Sequence, residues 1–162
     1  MIHKIRPAED RDATGIVAVF NHFVLNSFAA YPSEPVDESF ARRIKEMAGK
    51  YPVYVIETDD KVIGFALIRP YHFADTLQRS AEATIFILPE YTHAGIGSKV
   101  LAQLEDDARQ LGIDTLLGSA SSLNEQSLRF QKKNGFAEVG RFQRVGRKFD
   151  RDYDIIWMQK FL

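Results

Sequence analysis

The stretch from Arg79 to Leu111 limits the fold more than any other part of the chain. It opens with RSAEATIFILPE, an almost unbroken run of branched and aromatic residues. A continuous apolar run of this kind reads as a central strand buried on both faces. A short loop follows, and then Ile96, Val100, Leu104, Ala108 and Leu111 recur at helical spacing. Lys99, Gln103, Asp106 and Arg109 fall on the other face of that helix, and Gly112 stands where a helix ends. Strand, glycine-bearing loop and amphipathic helix in this order call for a sheet with helices packed on it.

The flanking segments agree. Ile2 to Arg6 reads as a short first strand, and Asp10 to Asn26 as a helix carrying Ile16, Val17, Val19, Phe20, Phe23 and Val24. After Pro32 and Pro35 a second helix runs from Asp37 to about Ala48. PVYVIET and KVIGFALIRPY form a hairpin about Asp59-Asp60. IDTLLGSA is a further strand, Asn124 to Asn134 a helix closed by Gly135, and FAEVGRFQRVG and DYDIIWMQKFL the last two strands. The predicted order is β-α-α-β-β-β-α-β-α-β-β, a mixed α/β sheet. With 162 residues, no repeats and no linker, one domain spanning 1–162 is expected.

Two glycines, Gly95 and Gly97, stand at the entrance of the Ile96 helix, although glycine lowers helix stability by roughly 1 kcal/mol relative to Ala. First-turn N–H groups lack partners inside a helix, and the helix dipole adds about half a positive charge there, so bare backbone at this point suits an anion such as a diphosphate. The alternative is glycine for tight packing. The spacing Gly95-Ile96-Gly97-Ser98-Lys99 fits neither a Walker loop nor the dinucleotide fingerprint, whose third glycine falls on Val100.

Other chemistries find little support. No cysteine is present, which removes thiolate metal sites and a cysteine nucleophile, and fits a reducing compartment. His3, His22, His72 and His93 have no metal-ligand spacing, so no metal is expected. A net charge of −1 points to no nucleic acid, and no apolar run approaches a membrane span. A cytoplasmic protein is the expectation.

The segments AEATIFILPE, THAGIG and NEQSLRFQKKNGF together resemble the acetyl-CoA-binding core of the GNAT acetyltransferases. IRPAEDRDATGIVAVFNHFV, IGFALIRPY and GRKFDRDYDIIWMQ extend the likeness, in order, to the phosphinothricin acetyltransferase-like branch. The resemblance implies a mostly antiparallel central sheet flanked by helices, acetyl-CoA as cosubstrate, transfer to the primary amine of a small amino-acid-like molecule, and a homodimer. It implies a glycine loop of His93, Ala94, Gly95, Ile96, Gly97 and Ser98 around the pyrophosphate, a splayed strand whose backbone at Ile85, Phe86 and Ile87 holds the pantetheine arm, and Asn124 near the cofactor. An acetyltransferase for peptide or protein N-termini and a silent acyl-CoA-binding module are the alternatives.

Amine acylation needs a neutral amine, and a lysine-like amine has a reference pKa of about 10.4. Glu82 is the candidate base. Strand alternation puts it on one face with Thr84, Phe86 and Leu88, an apolar setting expected to raise its pKa. Otherwise it is a solvated glutamate at a strand start. Gln131 stands where many relatives have Tyr or His, so the acid is unassigned, with Tyr153 either a substitute or a packing residue. Phe28 and Tyr31, in the loop expected to line the acceptor pocket, and Arg79, as a fork for a substrate carboxylate, are the substrate candidates. Each has a structural reading beside it: core packing for the aromatics and a solvated strand-edge charge for Arg79. The cluster Arg141, Arg144, Arg147, Lys148 and Arg151 reads as a solvated face, or as contacts to the 3′-phosphate of CoA.

Overall fold

The computed structural model describes residues 3–162; Ile2, expected to start the first strand, lies outside them. Seven strands form one sheet: β1 (Lys4–Pro7), β2 (Val53–Thr58), β3 (Lys61–Pro70), β4 (Ser80–Ile87), β5 (Thr115–Ser121), β6 (Ala137–Lys148) and β7 (Arg151–Phe161). Their spatial order is β1-β2-β3-β4-β5-β7-β6. Only β4 and β5 run parallel; every other neighbouring pair is antiparallel. The helices are α1 (Ala13–Asn26), α2 (Ser39–Ala48), α3 (Ile96–Gln110) and α4 (Glu125–Lys133). The element order is the one read from the sequence. No helix among the described residues is long and apolar enough to cross a membrane.

Two apolar cores lie on opposite faces of the sheet. On one face Ile16, Val19, Phe20 and Val24 of α1 and Ala41 and Ile44 of α2 pack on Val53, Val55, Phe65 and Leu67. On the other, Val100, Leu101, Leu104 and Ala108 of α3 pack on Ile56, Ile63, Ile68, Leu116, Ile156 and Met158. Leu111, expected in the α3 stripe, is partly exposed past the end of the helix, and Leu101 takes the place in the core. Both hairpins turn through two residues with positive φ, Asp59-Asp60 and Phe149-Asp150. That is the backbone twist two-residue hairpins require.

The expectation for β4 needs correction. It is central, but from Glu82 to Ile87 its residues are half-exposed rather than buried. The cause is its neighbour. Pairing with β5 is confined to Ser80↔Thr115, Ala81↔Leu116 and Glu82↔Leu117, while pairing with β3 runs from Pro70↔Ala81 to Gly64↔Ile87. Beyond Glu82 the two parallel strands part, and a cleft opens between them.

At the far edge of the sheet an ionic cluster ties β1 to β2 and to the turn before α1. The Arg6 guanidinium donates to Asp12 Oδ1 and Oδ2 at 2.8 and 2.7 Å and to Glu57 Oε2 at 2.6 Å. Asp12 is 4% exposed and also accepts from the Glu9 N–H at 2.8 Å. Hydrogen bonds from Arg6 hold both carboxyls below their usual range. A carboxylate with a depressed folded pKa contributes stability that is present above its unfolded value, about 3.9 for Asp, and lost as pH falls through the folded value. The midpoint of urea unfolding should therefore fall as pH drops below about 4. Asp12→Asn should lower the midpoint at neutral pH and flatten the acid limb; an unchanged acid limb would assign the pH dependence elsewhere.

Candidate active site

The cleft between the parted strands has a volume of about 450 Å³. Its walls come from β4 (Ala83 to Ile87), the loop before α3 (Thr92, His93 and Gly95), the first turn of α3, β5 at Gly118, Ser119 and Ala120, and one side of α4. From Ala83 onward, the backbone groups of β4 that would have met β5 have no strand opposite them. They form an open hydrogen-bonding edge along the cleft.

The α3 entrance supplies the second polar wall. No side chain caps α3, and its first intrahelical bond runs from Lys99 N–H to the Gly95 carbonyl. The N–H groups of Ile96, Gly97 and Ser98 are thus the unpaired first-turn donors. The two glycines have different tasks. Gly95 has φ +75°, a left-handed conformation that favours glycine, and a Cβ there would meet open space. Gly97 has ordinary helical backbone, but a Cβ on it would stand 2.9 Å from Phe130 Cε2 of α4. Close packing of α3 on α4 and bare backbone toward the cleft therefore coexist at Gly97.

Of the residues expected at the cofactor, Ile85, Phe86, Ile87, His93, Gly95, Gly97, Ser98 and Asn124 line the cleft. The Ile96 side chain turns into the core and Ala94 is exposed. Asn124 Oδ1 accepts from Ser127 N–H at 3.2 Å, so part of this residue serves as the cap of α4. Thr92 Oγ1 donates to the Pro89 carbonyl at 2.7 Å, which ties it into its own turn.

Sequence reasoning missed two contributors. Arg129 and Lys133 line the cleft from one face of α4, four residues apart; Arg129 also pairs with Glu125 of its own helix at 3.2 Å. The signal was their helical spacing. In the basic cluster on the β6–β7 hairpin, Arg141 pairs with Asp154 at 2.8 Å, and Arg144 and Arg147 with Asp152 at 3.3 and 2.9 Å. Gln131, singled out in the sequence, also lines the cleft; it is 8% exposed, and its Nε2 donates to Ser127 Oγ at 3.2 Å while Oε1 has no partner among the described residues.

Glu82 sits at the last paired position of β4, where the strands part. Its setting is not the apolar one expected. The opposite residue on β3 is Arg69, and Arg69 Nη2 stands 2.9 Å from Glu82 Oε2. Alternation missed this because it reads one strand at a time, and the guanidinium comes from the next. Near Glu82, burial pushes the Tyr31 hydroxyl up; the Ser119 hydroxyl works against that, and Tyr153 and Glu82 add to it.

Arg79 is also corrected. Its guanidinium is held bidentate by Asp114 at the closed end of the β4–β5 pair, so its fork is already filled. Phe28 packs edge-on to Phe149 and Tyr153, and Tyr31 stacks on Tyr153 at 6.1 Å. Tyr153 is buried in this cluster, in keeping with its packing reading. Lys148, 5% exposed, reaches from the hairpin to donate to the Ser27 and Ala30 carbonyls, both at 2.8 Å. Its desolvation lowers its pKa. These contacts fix the loop after α1 against the β6–β7 hairpin.

Known proteins share this fold and this sequence pattern. Residues 16–136 match the family model described as the acetyltransferase (GNAT) family. The chain belongs to the GNAT family. It is 31% identical over 160 residues to the L-amino acid N-acyltransferase MnaT of Escherichia coli strain K12, covering 96% of this chain and 91% of that protein. It is 30% identical over 158 residues to an L-methionine sulfoximine/L-methionine sulfone acetyltransferase of Salmonella typhimurium, covering 96% and 92%. A phosphinothricin acetyltransferase from Sinorhizobium meliloti, solved in complex with acetyl-CoA, superposes with TM-score 0.91 at 27% identity, covering 100% of this chain and 89% of that one. The chain is an acetyl-CoA-dependent acyltransferase.

The residues present fit that cosubstrate. The free N–H groups of α3 with Arg129 and Lys133 suit a diphosphate, and the open β4 edge suits an amide-bearing arm. Gly97→Ala forces its Cβ against Phe130, and overpacking of this kind costs about 1–3 kcal/mol. It should lower the melting temperature and weaken acetyl-CoA binding. Adding Phe130→Leu should restore most of the melting temperature; no recovery would mean that Phe130 is not what limits the site.

Proposed function

We propose that this enzyme transfers the acetyl group of acetyl-CoA to the primary amine of a small amino-acid-like molecule, with Glu82 as general base. One observation carries the reading: the Glu82 carboxylate stands at the point where β4 and β5 separate, beside the stretch of β4 that lines the cleft. The names of relatives acting on L-amino acids and methionine derivatives support the acceptor class.

The steps follow from the residues. Arg69 engages Glu82 Oε2 and leaves Oε1 to take a proton from the amine, directly or through one water. The neutral nitrogen attacks the thioester carbon, forming the C–N bond as the C–S bond breaks. Charge developing on the carbonyl oxygen meets a backbone N–H of the open β4 edge near Phe86 or Ile87. The sulfur leaves as a thiolate and takes up the second proton that the nitrogen sheds on becoming an amide; with a reference pKa of about 8.5 it needs no strong acid, which suits Gln131 in place of a titrating group. Ile85 to Ile87 hold the arm, and the loop His93 to Ser98 holds the diphosphate. The cysteine-free chain works in the cytoplasm in this reading, as one domain.

A homodimer belongs to the same proposal. β6 is an edge strand of 12 residues, exposed along nearly its whole length, with Val139, Phe142 and Val145 each more than half exposed. Edges of this length and character are normally covered, and a second copy covers it here. Sedimentation should give a dimer that Phe142→Glu dissociates; a monomeric wild type would remove this part.

Acylation of peptide N-termini is the second reading. It is favoured by the openness of the hollow beside Arg69 and by a Brucella melitensis structure named ribosomal-protein-alanine N-acetyltransferase, 29% identical with TM-score 0.89, covering 98% of this chain and 99% of that one. The proposal is tested by titrating the protein with acetyl-CoA in a calorimeter and then assaying amines with Glu82→Gln. One-site binding and a fall in kcat of about 10²- to 10⁴-fold, with acetyl-CoA affinity unchanged, are expected. Full activity in the variant would assign the base elsewhere.

A further inference from the structure

The Arg69–Glu82 pair is unusual for a base and its surroundings. A cation 2.9 Å from the carboxylate repels a protonated amine that approaches alone. An α-amino acid does not approach alone, because its carboxylate is one carbon from its ammonium group. Side by side, a guanidinium and a carboxylate are the charge complement of such a zwitterion. The two protein groups come from opposed positions of β3 and β4, so the backbone ladder fixes their spacing.

Access and surroundings agree with this. The Arg69 side chain is 38% exposed and that of Glu82 13%, so the cation is the more open member of the pair. Arg69 also lines a second hollow, together with Met47, Tyr71 and Phe73. These three are exposed apolar side chains, Phe73 at 90%, and the Phe73 ring stacks on His72 at 4.3 Å. The hollow holds a place for an apolar group beside the guanidinium.

We propose that Arg69 reads the free α-carboxylate of the acceptor, and that the Met47–Tyr71–Phe73 hollow takes an apolar side chain. The inference rests on the acylation reading above and narrows it. The preferred acceptor is an unblocked α-amino acid with an apolar side chain. A peptide N-terminus, whose first carboxyl is an amide, lacks the group that Arg69 requires. Arg69 takes the carboxylate with N–H donors other than the Nη2 contact to Glu82, since guanidinium has five.

The test compares three acceptors of one side chain: L-methionine, L-methioninamide and 3-(methylthio)propylamine. Wild type should prefer L-methionine in kcat/KM by about a hundredfold over both, since a site built for a charged hydrogen bond rejects analogues that lack it. Arg69→Met should collapse that preference to within about threefold, chiefly through the KM for L-methionine, and Arg69→Lys should restore part of it. Acetyl-CoA affinity, measured by calorimetry, reports that each variant is folded. Equal use of all three acceptors by wild type overturns the proposal, as does a preference that survives Arg69→Met. Binding of L-methionine in the presence of CoA is measured separately. Arg69-dependent binding without turnover of any amine would sink the acylation reading and leave the carboxylate site standing; neither binding nor turnover would sink both.

Discussion

The site depends on an interruption in the hydrogen-bond ladder. β4 and β5 are the only parallel neighbours in the sheet, and they pair over three positions before they part. Everything functional follows from where that pairing stops. Past Glu82, β4 keeps its antiparallel partner β3 and is held in place. Its other edge carries unpaired backbone groups, which a folded protein normally satisfies. A ligand that offers amides and a carbonyl along its length would satisfy them, as the proposed function has it. The same parting explains why an apolar strand in the middle of a sheet is half-exposed, and it puts the end of α3 at the mouth of an opening.

The loop before α3 gives that opening the unpaired backbone donors that suit an anion. His93 and Gly95 both have positive φ, 70° and 75°, and between them they swing the chain so that the first turn of α3 points its N–H groups at the cleft. Because no side chain caps the helix, those donors stay available. α4 behaves differently. Asn124 caps it internally, and its contribution is the pair Arg129 and Lys133 on the cleft side. In the proposed function, backbone at one wall and these two cations at the other would divide the work of holding a diphosphate, which would lessen the need for a phosphate-facing residue at Thr92.

The element order, the Asp59-Asp60 hairpin and the glycine-loop helix were legible because they rest on local signals: periodicity, turn residues and end residues. Eight of the ten residues expected at the cofactor line the cleft for the same reason, since they come from two contiguous segments and a helix cap. What failed was non-local. Glu82 was placed on the right strand, but its neighbour Arg69 belongs to β3, and nothing in the spacing of 69 and 82 announces the pairing. Arg79 looked free until Asp114, thirty-five residues on, closed around it. Phe28 and Tyr31 were read as pocket or core residues, and the return of β7 across the sheet brings Tyr153 against both. In each case one partner of an interaction was visible, and the topology decided the other.

The Arg69–Glu82 pair sets two demands against each other. A guanidinium beside a carboxylate occupies one of its oxygens and repels an ammonium group that comes alone. Had the site evolved for proton removal alone, the arginine would be a cost without return. It acquires a purpose once the acceptor brings its own negative charge. In the proposed reading the incoming carboxylate takes donors of Arg69 that Glu82 does not use, so the pair stays intact while the amine is set beside the Glu82 carboxylate. Under the proposed function, recognition and positioning become one event: an acceptor without the carboxylate has nothing to offset that repulsion. The proposal thereby ties the choice of acceptor to the approach of its amine through two side chains on neighbouring strands.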